Sequence, residues 1–193
     1  MGKMNQKKLV LLGLLFVLLV VLIIIFLTSG RAGREPTPSV PSEAEALPAE
    51  SGETRTVVLF FPSEDDGFLH PEEREIRTDI SVVDQAKQVI RELLRGSQSG
   101  YLSPLPEGTQ LRELYITQDG VACVDFSRDI QEKHLSGSSA EISTVYSLVN
   151  SLTQNFEPIT KVFILIDGRE RQTLGGHIDL SRPFSPKQDL ISR

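Results

Sequence analysis

Residues 9–27 form a 19-residue run in which Gly13 is the only member that is not apolar, and nothing later in the chain repeats that pattern. As a helix such a run would be roughly 28 Å long, close to the ~30 Å of a bilayer's hydrocarbon core. The core of a cleavable signal is shorter, about 7–15 residues, and ends in a small-x-small site. The "TSGRAGR" that follows here fits that poorly, and no cysteine follows for lipid attachment. An uncleaved transmembrane signal-anchor over 9–27 is therefore expected. Lys3, Lys7 and Lys8 hold residues 1–8 in the cytoplasm by the positive-inside rule, which Arg31 and Arg34 weaken without reversing. Residues 28–54 carry Pro, Glu, Ser and Ala with little to bury and are expected to be a disordered linker.

From residue 55 the apolar positions come in short groups with readable periods. "RTVVLFFP" is a buried strand stopped by proline, and the mostly polar "EEREIRT" from Glu72 is an edge strand. In "SVVDQAKQVIRELLRG", Val82, Val83, Ala86, Val89, Ile90, Leu93 and Leu94 recur at helical spacing. Ser81 and Asp84 stand in capping-box spacing, and Gly96 is the stop. A second helix is predicted in "SSAEISTVYSLVNSLTQNF", with Ser138 and Glu141 as its capping box and a stripe of Ile142, Val145, Tyr146, Val149, Leu152 and Phe156. "KVFILIDG" is apolar on both faces, a central strand, and one further short strand and an irregular tail close the chain. Two amphipathic helices need a common surface. The expected fold is thus α+β, a two-layer sandwich with both helices on one face of a mixed sheet of four to five strands. It occupies residues 55–185, with a C-terminal tail at 186–193.

Between the helices, "LRELYITQDGVACVDFS" reads as a hairpin whose register can be argued. A two-residue Asp119-Gly120 turn would scatter apolar residues over both faces. A three-residue loop, Gln118-Asp119-Gly120 with a left-handed glycine, puts Leu114, Ile116, Ala122, Val124 and Phe126 on one face. Glu113, Tyr115, Thr117, Val121, Cys123 and Asp125 then share the other, so Asp125 is expected to face solvent or a partner.

Charge and chemistry narrow the function mainly by exclusion. From Arg55 onward 15 basic residues meet 21 acidic ones without a basic run, which argues against a nucleic-acid partner. Cys123 is the only cysteine, so neither an internal disulfide nor a paired-cysteine zinc site is available. His70, His134 and His177 lie in unrelated loops without ligand spacing, so no metal or other cofactor is expected. His177 sits two residues from Asp179 in "GGHID", read as a glycine-rich turn. There is no nucleophile elbow, and Cys123 is mid-strand. Asp125 and Glu113, cross-strand neighbours ~5 Å apart at Cβ, are the best pair for a glycan hydrolase, but a small sandwich makes a poor cleft. No catalytic residue is assigned. In "YLSPLPEGTQ", Pro104 and Pro106 stiffen a loop whose Tyr101 and Leu102 either plug the core or form a recognition ledge.

Taken in order, "SVVDQAKQVIRELLRG", "YLSPLPEGTQLRELYITQDGVACVDFS", "SSAEISTVYSLVNSLTQNF" and "KVFILIDG" resemble the GerMN domain, the sporulation-and-germination domain of bacterial envelope proteins. The resemblance spans about residues 56–184. It implies a non-enzymatic, extracytoplasmic α/β domain tethered to a membrane or lipid, similar to the ring-building motifs of secretion and sporulation machinery. Some members carry two such domains or a lipid-attachment cysteine, and this chain has one domain and no such cysteine. The expectation is a single-pass cytoplasmic-membrane protein whose outer domain associates with an envelope protein or with its own copies. Peptidoglycan or glycan binding is the alternative, and the absence of Trp with only three Tyr speaks against it.

Overall fold

The structure is a computed structural model; it describes Leu19 and residues 53–193 other than Asp79 and Ser136. The expected membrane helix lies outside the described residues apart from Leu19, a helical, exposed position, as does the expected linker apart from Glu53 and Thr54. Among the described residues no helix is long and apolar enough to cross a membrane. The fold falls within the unit Glu50–Arg193.

In chain order its elements are β1 (Thr54–Pro62), β2 (Leu69–Arg77), α1 (Val82–Arg95), β3 (Leu111–Ile116) and β4 (Val121–Phe126). There follow α2 (Asp129–Glu132), α3 (Ser138–Asn155), β5 (Lys161–Ile166) and a 3-10 turn at Gln188–Leu190. The expected α+β character is present, with helices packed on strands, but the single mixed sheet is not. There are two sheets, an antiparallel β1-β2 ribbon and a sheet of order β3-β4-β5, with β4 and β5 parallel.

The reason lies on α3. The side of β1 away from β2 pairs with a helix, not with a strand. Asn155 Oδ1 accepts from Val58 N at 2.9 Å, Ser151 Oγ accepts from Phe60 N at 3.0 Å, and Asn155 Nδ2 donates to Val58 O at 2.6 Å. A strand edge sealed by helix side chains has no groups left for a further strand. α3 consequently is not the one-sided amphipathic helix its apolar stripe suggests. Ser147, Asn150 and Ser151 are as completely buried as Val145, Val149 and Leu152. Asn150 exchanges bonds with the backbone of Lys187 (2.9 and 3.1 Å), so one face of α3 holds the C-terminal segment in place. Ser192 N then donates to Leu69 O at 2.9 Å.

α1 follows the sequence closely. Ser81 caps it by accepting from Asp84 N, Gly96 ends it at φ 84°, and Ala86, Val89, Ile90 and Leu93 are buried, while Val82 stays exposed. α3 starts differently. Gly137 stands at its cap without a side-chain hydrogen bond, and Glu141 is turned inward. From Pro71 onward β2 alternates, yet two of the three residues it turns inward there are charged. Glu72 and Arg74 form a buried ion pair, and Glu72 also accepts from Ser97 Oγ at 2.6 Å and Gln98 N at 2.8 Å. Inward charges are one of the devices that keep an edge strand from pairing with another chain.

Candidate functional site

The hairpin register is as its alternation requires. Leu114 pairs with Val124, Tyr115 with Cys123 and Ile116 with Ala122, and Gly120 takes φ 82° in the three-residue loop. A bulge at Arg112 interrupts the pairing between Leu111 and Glu113. A bulge re-aims a side chain, and here it lays Arg112 over the outer face. Arg112 Nε donates to Asp125 Oδ2 at 3.0 Å, and Gly168 N donates to Asp125 Oδ1 at 2.8 Å. Asp125 is therefore only 8 % exposed, which corrects the expectation that it faces solvent or a partner. Its two oxygens fasten the turn after β5, where Asp167 (φ 53°) and Gly168 (φ 69°) reverse the chain. Asp167 in turn accepts from Arg128 Nε at 3.1 Å.

Glu113 stands opposite Asp125 in register, but its carboxylate goes elsewhere. It pairs with Lys87 Nζ at 2.5 Å and accepts from Leu114 N at 2.9 Å. The hydrogen bond from Lys87 leads the causes that hold its pKa below the ordinary glutamate range. A general acid needs the opposite shift. The two acids therefore serve different cations and open onto no common cleft. Cys123 is buried, and Tyr115 opposite it is half exposed; the phenol is raised above its ordinary value first by its hydrogen bond to the Cys123 thiol.

The three histidines occupy three separate places. His70 Nε2 lies 2.9 Å from Asp66 Oδ2 and stacks on Tyr101 with ring centroids 4.8 Å apart. Tyr101 thereby helps close the core beneath its loop, whereas Leu102 stays 41 % exposed. His177 Nδ1 meets the fully buried Glu141 at 2.7 Å. Among the described residues no three His, Cys, Asp or Glu side chains come together as a metal site. Glu141 is the functional-looking residue that capping-box spacing misassigns. Besides His177, it accepts from the backbone N–H of Ile178 (2.9 Å) and of His177 (3.1 Å), wrapping the "GGHID" turn around one carboxylate. Burial pushes its pKa up, but the hydrogen bonds from Ile178, His177 and Gly175 outweigh that and leave it below the ordinary value.

His134 sits at a sizeable concavity with apolar walls. Its Nε2 is 2.9 Å from Thr144 Oγ1, and Thr144 donates onward to Pro104 O at 2.6 Å, which ties two loops to α3. Between those loops and α3 lies a groove of about 670 Å³, with Leu102, Leu105, Leu135 and Ile142 in its walls.

The chain belongs to the Germane family, described as sporulation and spore germination, which it matches over residues 58–172. One solved structure agrees in fold, and two more are similar in sequence. The tandem GerMN domains of the sporulation protein GerM from Bacillus subtilis are 22 % identical with TM-score 0.54, over 69 % of this chain and 46 % of that one, so this chain spans about half of the tandem protein. The first GerMN domain of the same protein is 24 % identical (TM-score 0.49, over 72 % of this chain and 98 % of that one). A protein of Clostridium perfringens named as a lipoprotein is 28 % identical (TM-score 0.49, 72 % and 93 %). No curated protein matches the sequence.

Proposed function

We propose that residues 9–27 anchor the chain in the cytoplasmic membrane, that residues 28–54 space it from the bilayer, and that the Germane domain acts outside the cytoplasm as a non-catalytic association module of the envelope. The observation that carries this reading is the contrast between the two sheets. The free side of β1 is sealed by α3, whereas β3 is an outer strand on which no other described strand pairs, with Tyr115 half exposed upon it. An open outer strand on a domain without converging chemistry favours binding by strand addition or by its outer face, to an envelope protein or a second copy. The topology is tested by placing a cysteine at the exposed Glu64 (Glu64→Cys with Cys123→Ser) and treating intact cells, with the outer envelope permeabilised where there is one, with a membrane-impermeant maleimide. Labelling without lysis is the expected result. Labelling only after lysis would overturn the extracytoplasmic placement.

A further inference from the structure

The groove beside α3 is not absorbed by that reading. Its volume of about 670 Å³ falls in the ~300–1,000 Å³ range of small-ligand sites. A stable protein interface needs about 800 Å² on each partner, more than one such groove supplies. Leu102 and Leu135 line it while 41 % and 76 % exposed, so apolar surface is already presented to an occupant. The groove is also preformed. Leu102 N donates to Pro62 O at 2.9 Å, Ser103 Oγ donates to Leu105 O at 3.0 Å, and the His134–Thr144–Pro104 relay fixes the opposite wall.

Three prolines, Pro62, Pro104 and Pro106, line the groove and offer no N–H to the carbonyls of an extended peptide, whereas a hydrocarbon chain asks for none. The ionisable lining residues are Lys133 and His134, both basic. Lys133 shares its charge with Asp129 at 2.8 Å and remains 56 % exposed. Ser139 and Ser143, one helical turn apart, also line the groove, and no hydrogen bond of their hydroxyls is made among the described residues. α3 begins there without a side-chain cap, so its first N–H groups add to the same sign of potential, which the first-turn Glu141 partly offsets.

We propose that this groove binds a single-chain anionic amphiphile of the fatty-acyl carboxylate type, its tail against Leu102, Leu105, Leu135 and Ile142 and its carboxylate at Lys133 and Ser139. The proposal is independent of the association reading. Its test uses the full chain in lipid nanodiscs and two photoprobes, a twelve-carbon fatty acid bearing a diazirine and its methyl ester, with labelled peptides mapped by mass spectrometry. The acid should label residues 102–106 and 133–143 at least fivefold more than the ester does. Lys133→Glu should remove that preference, and Leu135→Asp should lower labelling by both probes at least fivefold with the far-ultraviolet circular dichroism unchanged. Label confined to residues 9–27, or equal labelling by acid and ester, would overturn the proposal. So would a benzophenone side chain at position 102 that captures protein and is not competed by the fatty acid, since the occupant would then be a partner chain.

Discussion

Glu141 is the residue whose loss should cost the domain most, and the size of the effect follows from its surroundings. Its carboxylate is fully buried and accepts from Ile178 N, His177 N and His177 Nδ1 at 2.9, 3.1 and 2.7 Å. Hydrogen bonds to a charged group contribute about 1.5–3 kcal/mol each, and a buried donor left unmatched costs about 1–3 kcal/mol. Glu141→Ala strands several donors at once and should cost about 3–5 kcal/mol, a large share of the ~5–15 kcal/mol typical of a domain. Glu141→Gln keeps one acceptor oxygen but turns an NH₂ toward donors, and should cost about 1–3 kcal/mol. The assay is urea unfolding of the Glu50–Arg193 unit at several pH values. The folded pKa of Glu141 is depressed, so its contribution is present above the unfolded value of ~4.3 and is lost as pH falls through the folded one. The gap between wild type and Glu141→Gln should therefore be full at pH 7 and shrink below about pH 4. A glutamine variant within ~0.5 kcal/mol of wild type at pH 7, the spread of an ordinary surface substitution, would mean that the Glu141 carboxylate does not hold the turn. A gap that stays constant into acid would mean that its charge contributes nothing to that hold.

Other consequences are equally direct. Asn155→Ala unpairs both the N–H and the C=O of Val58 and should cost about 1–3 kcal/mol, with hydrogen exchange at Val58 rising before that of the β4 amides. Glu72→Gln leaves Arg74 charged and 8 % exposed without its carboxylate. It should destabilise by about 3–5 kcal/mol, whereas replacing both residues by apolar ones should restore much of the loss in the same urea titration. At Gly120 the backbone sits at φ 82° and an added Cβ would lie 3.0 Å from Pro158 O. Gly120→Ala should therefore cost about 1–3 kcal/mol, seen as a lower Tm.

Much of this fold is legible in the chain because the local signals agree with one another. The α1 stripe, its Ser81 cap and Gly96 stop, and the Gly120 loop that separates the hairpin's faces each follow from period and turn chemistry. What period alone does not reveal is where polar groups go once they are buried. The apolar stripe of α3 hides a second, polar stripe, Ser147, Asn150, Ser151 and Asn155, at the same helical spacing, of which Ser151 and Asn155 seal β1 and Asn150 holds the C-terminal segment. Small polar residues recurring three and four apart within an apolar helix are the readable sign of such a face. Glu141 sits three residues after Ser138, as a capping glutamate would, and only the approach of residues 175–178 shows why it is buried. Asp125 is placed correctly in register, but the Arg112 bulge that covers it leaves no signature in the alternation.

The proposed association through the outer strand β3 meets its sharpest test in a photo-crosslinking amino acid at Tyr115 of the full chain in its own membrane. A discrete protein adduct, either a second copy or one envelope protein, is the predicted result, absent when the crosslinker is moved to Glu64 on the far turn. Adducts to lipid or glycan alone, or none from position 115 while the domain remains folded, would contradict that association.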